Sequence, residues 1–213
     1  MKQFLKKTYD FLVKDDSWLS WIVGLALAYV LIKFIIYPGI GFAFQTELPV
    51  VAIVSESMEH RMNNINDMYY MCGYRFEDKR RVSFDRWWNI CGDWYVNNTD
   101  INKDVFEEFR FKNGLNKGDI IIAFGKKPED INVGDVVIFE ANRPIPIIHR
   151  VVAKNEQSQE IIFSTKGDNN ADYETSLEEE TVHEDRIIGV AKARIPYLGY
   201  LRVWMADLVN LFR

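Results

Sequence analysis

The chain has 213 residues, 48% of them hydrophobic, and a formal net charge of −5. That supplies enough apolar material for one medium-sized core plus a membrane segment, and it speaks against a disordered or fibrous protein. The acidic balance and the lack of a dense Lys/Arg patch argue against a nucleic-acid partner, and two cysteines, Cys72 and Cys91, are too few for a four-cysteine zinc site.

Residues 1–17 form a lysine-bearing tail, and the first predicted element is an apolar helix beginning at Trp18. Its uncharged core runs to Ile32, and Lys33 sits near the far end. Apolar residues resume through Ile36, and Pro38 is expected to end the helix, giving an anchor over 18–38. A bilayer needs roughly 20 apolar residues as a helix, which this stretch supplies if Lys33 snorkels. A buried core helix is the competing reading, but the stretch is apolar on all sides and carries Trp18 and Trp21 at one end. A cleaved leader fits less well, because the run is long and no small-x-small site follows it. Lys2, Lys6, Lys7 and Lys14 precede the segment, and no Lys or Arg lies between Pro38 and His60. The basic side stays in the cytoplasm, so the remainder is expected outside.

Beyond the anchor, short β-rich runs alternate with turn residues: Pro49–Val54, Asp119–Phe124, Asp135–Phe139, Ile147–Ala153, Ile161–Thr165 and Ile187–Ala193. Two of them are introduced by Gly-Asp pairs, Gly118-Asp119 and Gly134-Asp135, in which Gly permits a tight turn and Asp bonds nearby backbone. The pattern predicts a mainly β domain of barrel or sandwich type over 45–60 and 118–195. Residues 61–117 break the rhythm with a crowd of Tyr, Phe and Trp and read as an inserted subdomain, whose Trp/Tyr content suggests a lid or a membrane-contacting surface. Cys72 and Cys91 lie inside it; on the outer side of a membrane they are expected to close a disulfide, the alternative being two buried thiols. Residues 196–213, with Trp204, Leu208, Leu211 and Phe212 at helical spacing, read as an interfacial helix or one docked on the β domain.

Three segments carry residues suited to acyl transfer, which needs a nucleophile, a base and an oxyanion site. The run Val50–Val54 delivers Ser55-Glu56-Ser57-Met58-Glu59 at its end, with two serines at i and i+2 that point the same way in extended backbone. His149 lies in a β-rich run, and Lys166-Gly167-Asp168-Asn169-Asn170 follows another. Each piece alone is ordinary: a serine-bearing turn, a structural strand histidine, a polar turn.

In this order, however, they resemble the type I signal peptidases, in particular the archaeal and endoplasmic-reticulum branch. The resemblance rests on Ser55-Glu56-Ser57-Met58-Glu59, Gly134-Asp135-Val136-Val137, His149-Arg150-Val151, Lys166-Gly167-Asp168-Asn169-Asn170 and the closing Ile195-Pro196-Tyr197-Leu198-Gly199. It implies Ser57 as nucleophile, Ser55 at the oxyanion site, His149 as base and Asp168 as the acid that orients it. It further implies a second acid about six positions on, which is Glu174 here, with Asp172 closer. No cofactor or metal is implied. The implied substrates are preprotein signal peptides with small residues before the cut, met at a membrane and at the protein translocation channel. Two departures stand out: His60 replaces the family's Pro and is a rival base, and the 61–117 insertion is unusual. His183, in the acidic run Glu178–Asp185, reads as solvated. The competing functions are an inactive membrane-anchored scaffold of the same fold, and a related protease for pilin-like precursors.

Overall fold

The computed structural model describes residues 17–157 and 160–200, together with residues 3, 9–11, 14 and 15. Residues 201–213 of the expected C-terminal helix and most of the N-terminal tail lie outside the described residues, and 196–199 form a turn. The chain divides into two compact units, 1–47 and 48–213.

The first unit contains a continuous apolar helix, Trp18–Phe44, the one described helix long and apolar enough to cross a membrane. Ser17 caps its start by accepting from Ser20 N–H, a capping bond worth about 1 kcal/mol. α1 (Trp18–Leu31) passes through a π-helical turn (Ile32–Ile36) into α2 (Tyr37–Phe44). Pro38 therefore does not end the helix, contrary to the sequence expectation. A proline inside a helix removes one N–H and crowds the carbonyl four residues back. The widened turn just before it, in which Tyr37 N–H bonds Ile32 O, absorbs that conflict. The helix instead stops at Gln45, whose φ of 56° reverses the chain.

In the second unit, a seven-stranded antiparallel sheet runs in the order β1-β5-β10-β6-β7-β8-β9. Its strands are β1 (Val50–Ala52), β5 (Ile120–Phe124), β6 (Val136–Phe139), β7 (Ile147–Gln157), β8 (Glu160–Lys166), β9 (Val182–His183) and β10 (Ile187–Ile195). Register shifts in β7 and β10 are bulges that bend the sheet and curl it. One core cluster joins Val137, Phe139, Val151, Phe163 and Val190, and a second joins Ile53, Met58, Leu115, Ile121 and Val136. Both Gly-Asp pairs form the same device. Gly118 and Gly134 adopt φ of 87° and 92°, and each following Asp accepts a backbone N–H from three residues earlier (Asn116 to Asp119, 2.8 Å; Asn132 to Asp135, 3.1 Å).

The 61–117 segment adds a three-stranded meander, β2 (Asn63–Ile65), β3 (Met68–Met71) and β4 (Tyr74–Phe76), followed by α3 (Phe84–Asn98) and α4 (Lys103–Glu107). Ser83 caps α3, and Trp87, Cys91 and Tyr95 recur every fourth residue on its buried face. With Trp88, Ile101 and Phe106 they form a cluster that also takes in Val152 from β7. Trp87, Trp88, Tyr95 and Phe106 thus turn inward and fasten the segment to the sheet, while Tyr74 stays exposed and Trp94 is half-buried. Cys72 and Cys91 are joined as a disulfide.

Candidate active site

β1 ends at Ala52, and residues 55–58 form a bend and turn closed by Glu59 N–H on Glu56 O at 3.1 Å. The two serines therefore meet through a turn and not through extended backbone. Their hydroxyls lie 3.1 Å apart. Ser57 Oγ is also 2.9 Å from His149 Nε2. His149 projects from β7, where it pairs with Val137 of β6, and its side chain is buried.

The other ring nitrogen, Nδ1, is hydrogen-bonded to Glu179 Oε1. Glu179 is fully buried, and its second oxygen accepts the backbone N–H of Glu174 at 2.5 Å. Glu178, at φ 56°, turns the chain so that Glu179 points inward, and Ser164 Oγ–H on Glu180 O (3.0 Å) anchors the turn to β8. A carboxylate only accepts, so Nδ1 carries the imidazole proton and Nε2 is left to accept from the Ser57 hydroxyl.

The expected Asp168–His149 contact is not made. Asp168 accepts from Arg150 Nε (2.9 Å), Arg150 Nη2 (2.7 Å), Tyr95 OH (3.1 Å) and His60 Nε2 (3.0 Å). The cause is strand alternation. Successive strand residues face opposite sides, so His149 and Arg150 point apart, and the turn after β8 follows Arg150. Arg150 and Lys166 are register partners, which brings Asp168 to the guanidinium. All five N–H groups of Arg150 are used, the remaining three by Arg110 O, Gly134 O and Phe111 O. Burial by itself would raise the pKa of Asp168, but the Arg150 charge and the hydrogen bonds from His60 and Arg150 outweigh it and hold the carboxyl below the usual range. Burial lowers the pKa of His60 despite Asp168. Its ring stacks on Trp87 at 3.7 Å, and its Nδ1 has no hydrogen-bond partner among the described residues. Among the described residues no bond joins the His60 ring to Ser57 Oγ, where it was expected as a rival base.

Asp172 binds Trp94 Nε1–H at 2.8 Å and is exposed, whereas Glu174 supplies only its backbone N–H to Glu179. Neither side chain meets His149. Asn169 completes the site: its N–H donates to Ser57 O at 2.7 Å, and its Nδ2 reaches Glu56 O and Arg61 O. Gly167 packs so tightly against His149 that a Cβ there would lie 2.9 Å from Nε2. Lys166, buried beside it, donates to Gly167 O (3.0 Å) and Asn170 O (2.7 Å), and burial pulls its pKa down to about 8. The closing segment also docks as a unit, with Gly199 N–H on Gly118 O at 2.8 Å.

A hydroxyl bonded to an imidazole that is bonded in turn to a buried carboxylate has the parts needed for acyl transfer: a nucleophile, a base and a group fixing the base's tautomer. No family model matches the chain. Among curated proteins, it is 30% identical over 176 residues to the signal peptidase complex catalytic subunit sec11 of Schizosaccharomyces pombe, covering 80% of this chain and 74% of that relative. It is 38% identical over 98 residues to the subunit SEC11 of Lachancea thermotolerans, and 31% identical over 98 residues to that of Candida albicans. Those matches cover 43% and 44% of this chain and 58% of each relative. The chain belongs to the family of signal peptidase complex catalytic subunits.

Proposed function

We propose that this protein is a membrane-anchored serine endopeptidase that removes signal peptides from preproteins. The observation that carries the reading is the 2.9 Å bond between Ser57 Oγ and His149 Nε2, backed by Glu179 on the far side of the ring. His149 takes the Ser57 proton as Oγ attacks the scissile carbonyl, and Glu179 stabilises the imidazolium that forms. The Ser57 N–H and the Ser55 hydroxyl donate to the oxyanion. His149 then protonates the leaving amine, and water releases the acyl group by the same route in reverse.

β1 is the terminal strand of the sheet and leads directly to Ser55 and Ser57, so an extended substrate pairing with its edge would arrive at the nucleophile. Shallow subsites then select small side chains before the cut. The domain plan is a cytoplasmic tail, one membrane span, and a catalytic β domain carrying the 61–117 insertion on the outer side. The lysines before the helix and the disulfide, which belongs to an oxidising compartment, both support that orientation. Anchoring beside the translocation channel would place enzyme and substrate in one bilayer and raise their effective concentration.

The test is cleavage of a preprotein in membranes by wild type, Ser57→Ala, His149→Ala and His60→Ala. The first two variants should each lose roughly 10³-fold or more, with His60→Ala well above them. A wild type that binds precursors but cuts none would replace this reading with a scaffold role.

A further inference from the structure

The proposed chemistry makes no use of the Cys72–Cys91 disulfide, yet its two ends carry the groups that grip the 166–173 segment. On one side, Cys72 N–H donates to Asn169 O at 3.2 Å and to Asn169 Oδ1 at 3.3 Å. The next residue, Gly73, lies so close to Ala171 that a Cβ on it would be 2.7 Å from the alanine methyl. On the other side, Cys91 sits on α3 one turn before Tyr95. Tyr95 OH donates to Asp168 at 3.1 Å, Trp94 Nε1–H donates to Asp172 at 2.8 Å, and the rings of both lie within 4.7 to 5.3 Å of Lys166 Nζ. Burial, then the neighbouring Asp168 charge, keep the Tyr95 phenol protonated and able to donate.

From the gripped segment to the nucleophile is one further bond, Asn169 N–H to Ser57 O at 2.7 Å. Cys72 itself stands at φ 50°, a conformation that a residue with a Cβ adopts reluctantly. The turn keeps it while the sulfur is tied to α3 and the N–H is held on Asn169.

We infer that the Cys72–Cys91 crosslink and Tyr95 are positioning residues for the acyl-transfer site, clamping the 166–173 segment from both sides so that Asn169 holds Ser57 in line with His149. The inference rests on the function proposed above. It gives the insertion a role: the insertion sets the aim of the nucleophile without touching substrate. A dithiol that reduces the bond delivers two electrons and two protons, leaving two cysteine thiols and its own cyclic disulfide. The β3–β4 turn is then free to drift from α3.

The test uses the full chain in proteoliposomes, with kcat and KM for a preprotein peptide measured on four forms. These are oxidised wild type, wild type reduced with dithiothreitol and alkylated, Cys72→Ala/Cys91→Ala, and Tyr95→Phe. Misplacing a nucleophile by a fraction of an ångström should lower kcat about ten- to a hundredfold in the reduced and double-alanine forms, with KM within about twofold. Reoxidising reduced, unalkylated enzyme should restore kcat. Tyr95→Phe, which keeps the disulfide and loses one hydroxyl, should lose several-fold in kcat, again at constant KM, with an unchanged far-ultraviolet circular dichroism spectrum. It guards against unfolding of the cysteine variants. Wild-type kcat in the reduced enzyme and in Tyr95→Phe, or a loss carried by KM, would overturn the inference while leaving the peptidase intact. An oxidised wild type that cleaves nothing removes the functional reading and this inference with it.

Discussion

Exchanging Glu179 for glutamine keeps the shape of the side chain and changes what its two ends can do. In the native protein both oxygens accept, one from His149 Nδ1–H and the other from the Glu174 backbone N–H. Glutamine has one acceptor and one donor for these two partners. If its oxygen stays on Glu174, its NH₂ faces Nδ1, and the ring must shift its proton to Nε2. Nε2 then donates to Ser57 and cannot take the serine proton. If its oxygen stays on His149, the NH₂ opposes the Glu174 N–H inside a buried site, and the turn carrying the side chain is pushed away. The backbone N–H cannot change its role, whereas an imidazole can switch tautomer, so the first outcome should dominate. Such a tautomer error in a serine-protease triad costs about 10⁴ in kcat. We expect Glu179→Gln to lose roughly 10³- to 10⁴-fold in kcat with KM little changed. Replacing the charged acceptor should also cost about 2 kcal/mol of stability, on the order of 4–8 °C in Tm. The assay is preprotein cleavage below the variant's own transition, beside Asp172→Asn and Glu174→Gln, whose side chains do not meet His149. Glu179→Gln within tenfold of wild type, with Asp172→Asn or Glu174→Gln the dead variant, would refute the assignment.

Gly167→Ala should lower kcat at least tenfold while leaving the sheet folded, because the new methyl would sit 2.9 Å from His149 Nε2; paired activity and circular dichroism measurements check it. Asp168→Asn should destabilise by about 3–5 kcal/mol, since it leaves the Arg150 guanidinium buried without its counter-charge, and chemical denaturation reads this directly. Because the folded pKa of Asp168 lies below its unfolded value of about 3.9, its contribution is present above that pH and fades as the pH falls below it. Wild type, and not Asp168→Asn, should therefore lose this increment in acid. Lys166 titrates near pH 8 when folded, so between there and about 10.4 the unfolded chain binds more protons. Wild type should therefore gain about 3 kcal/mol relative to Lys166→Met across that interval in denaturation curves taken at rising pH.

Six of the seven strands were legible in the sequence because each contains a short apolar run bracketed by turn residues, and two of those turns are specified by the same Gly-Asp pair; β9, only Val182–His183, offers no such run. Ser57 and His149, whose side chains the structure brings to 2.9 Å, stood out through the order of their segments, which resembles the type I signal peptidases; alone they read as a serine-bearing turn and a strand histidine. The insertion hid its helix behind its composition. Ser83 followed by Trp87, Cys91 and Tyr95 is a cap and a four-residue repeat, but aromatic residues at that density also suit strands. Glu179 was not legible at all. It stands among Glu178, Glu180, Glu184 and Asp185, and neither charge nor spacing separates the buried carboxylate from the exposed ones. Only the positive φ of Glu178 and the Ser164 bond to Glu180 turn it inward, and both depend on where β8 passes.

The separation of the two acids follows from the sheet itself. His149 and Arg150 are neighbours in the chain but face opposite sides of β7, and just past the end of β8 Gly167 lies against the His149 ring while Asp168, in the turn, meets Arg150. Gly167, lacking a side chain, leaves room for the His149 ring. Asp168 meets the Arg150 guanidinium, which has no other counter-charge within bonding distance among the described residues. To reach His149, Asp168 would have to cross the sheet and leave buried Arg150 with three carbonyl bonds and an unpaired charge. A penalty of about 3–5 kcal/mol exceeds anything one hydrogen bond to an imidazole returns. The carboxylate that bonds His149 therefore comes from a segment on the histidine's own face, and the turn at Glu178 provides it. The Asp of the Lys-Gly-Asp-Asn segment is left to hold Arg150, His60 and Tyr95 together behind Ser57.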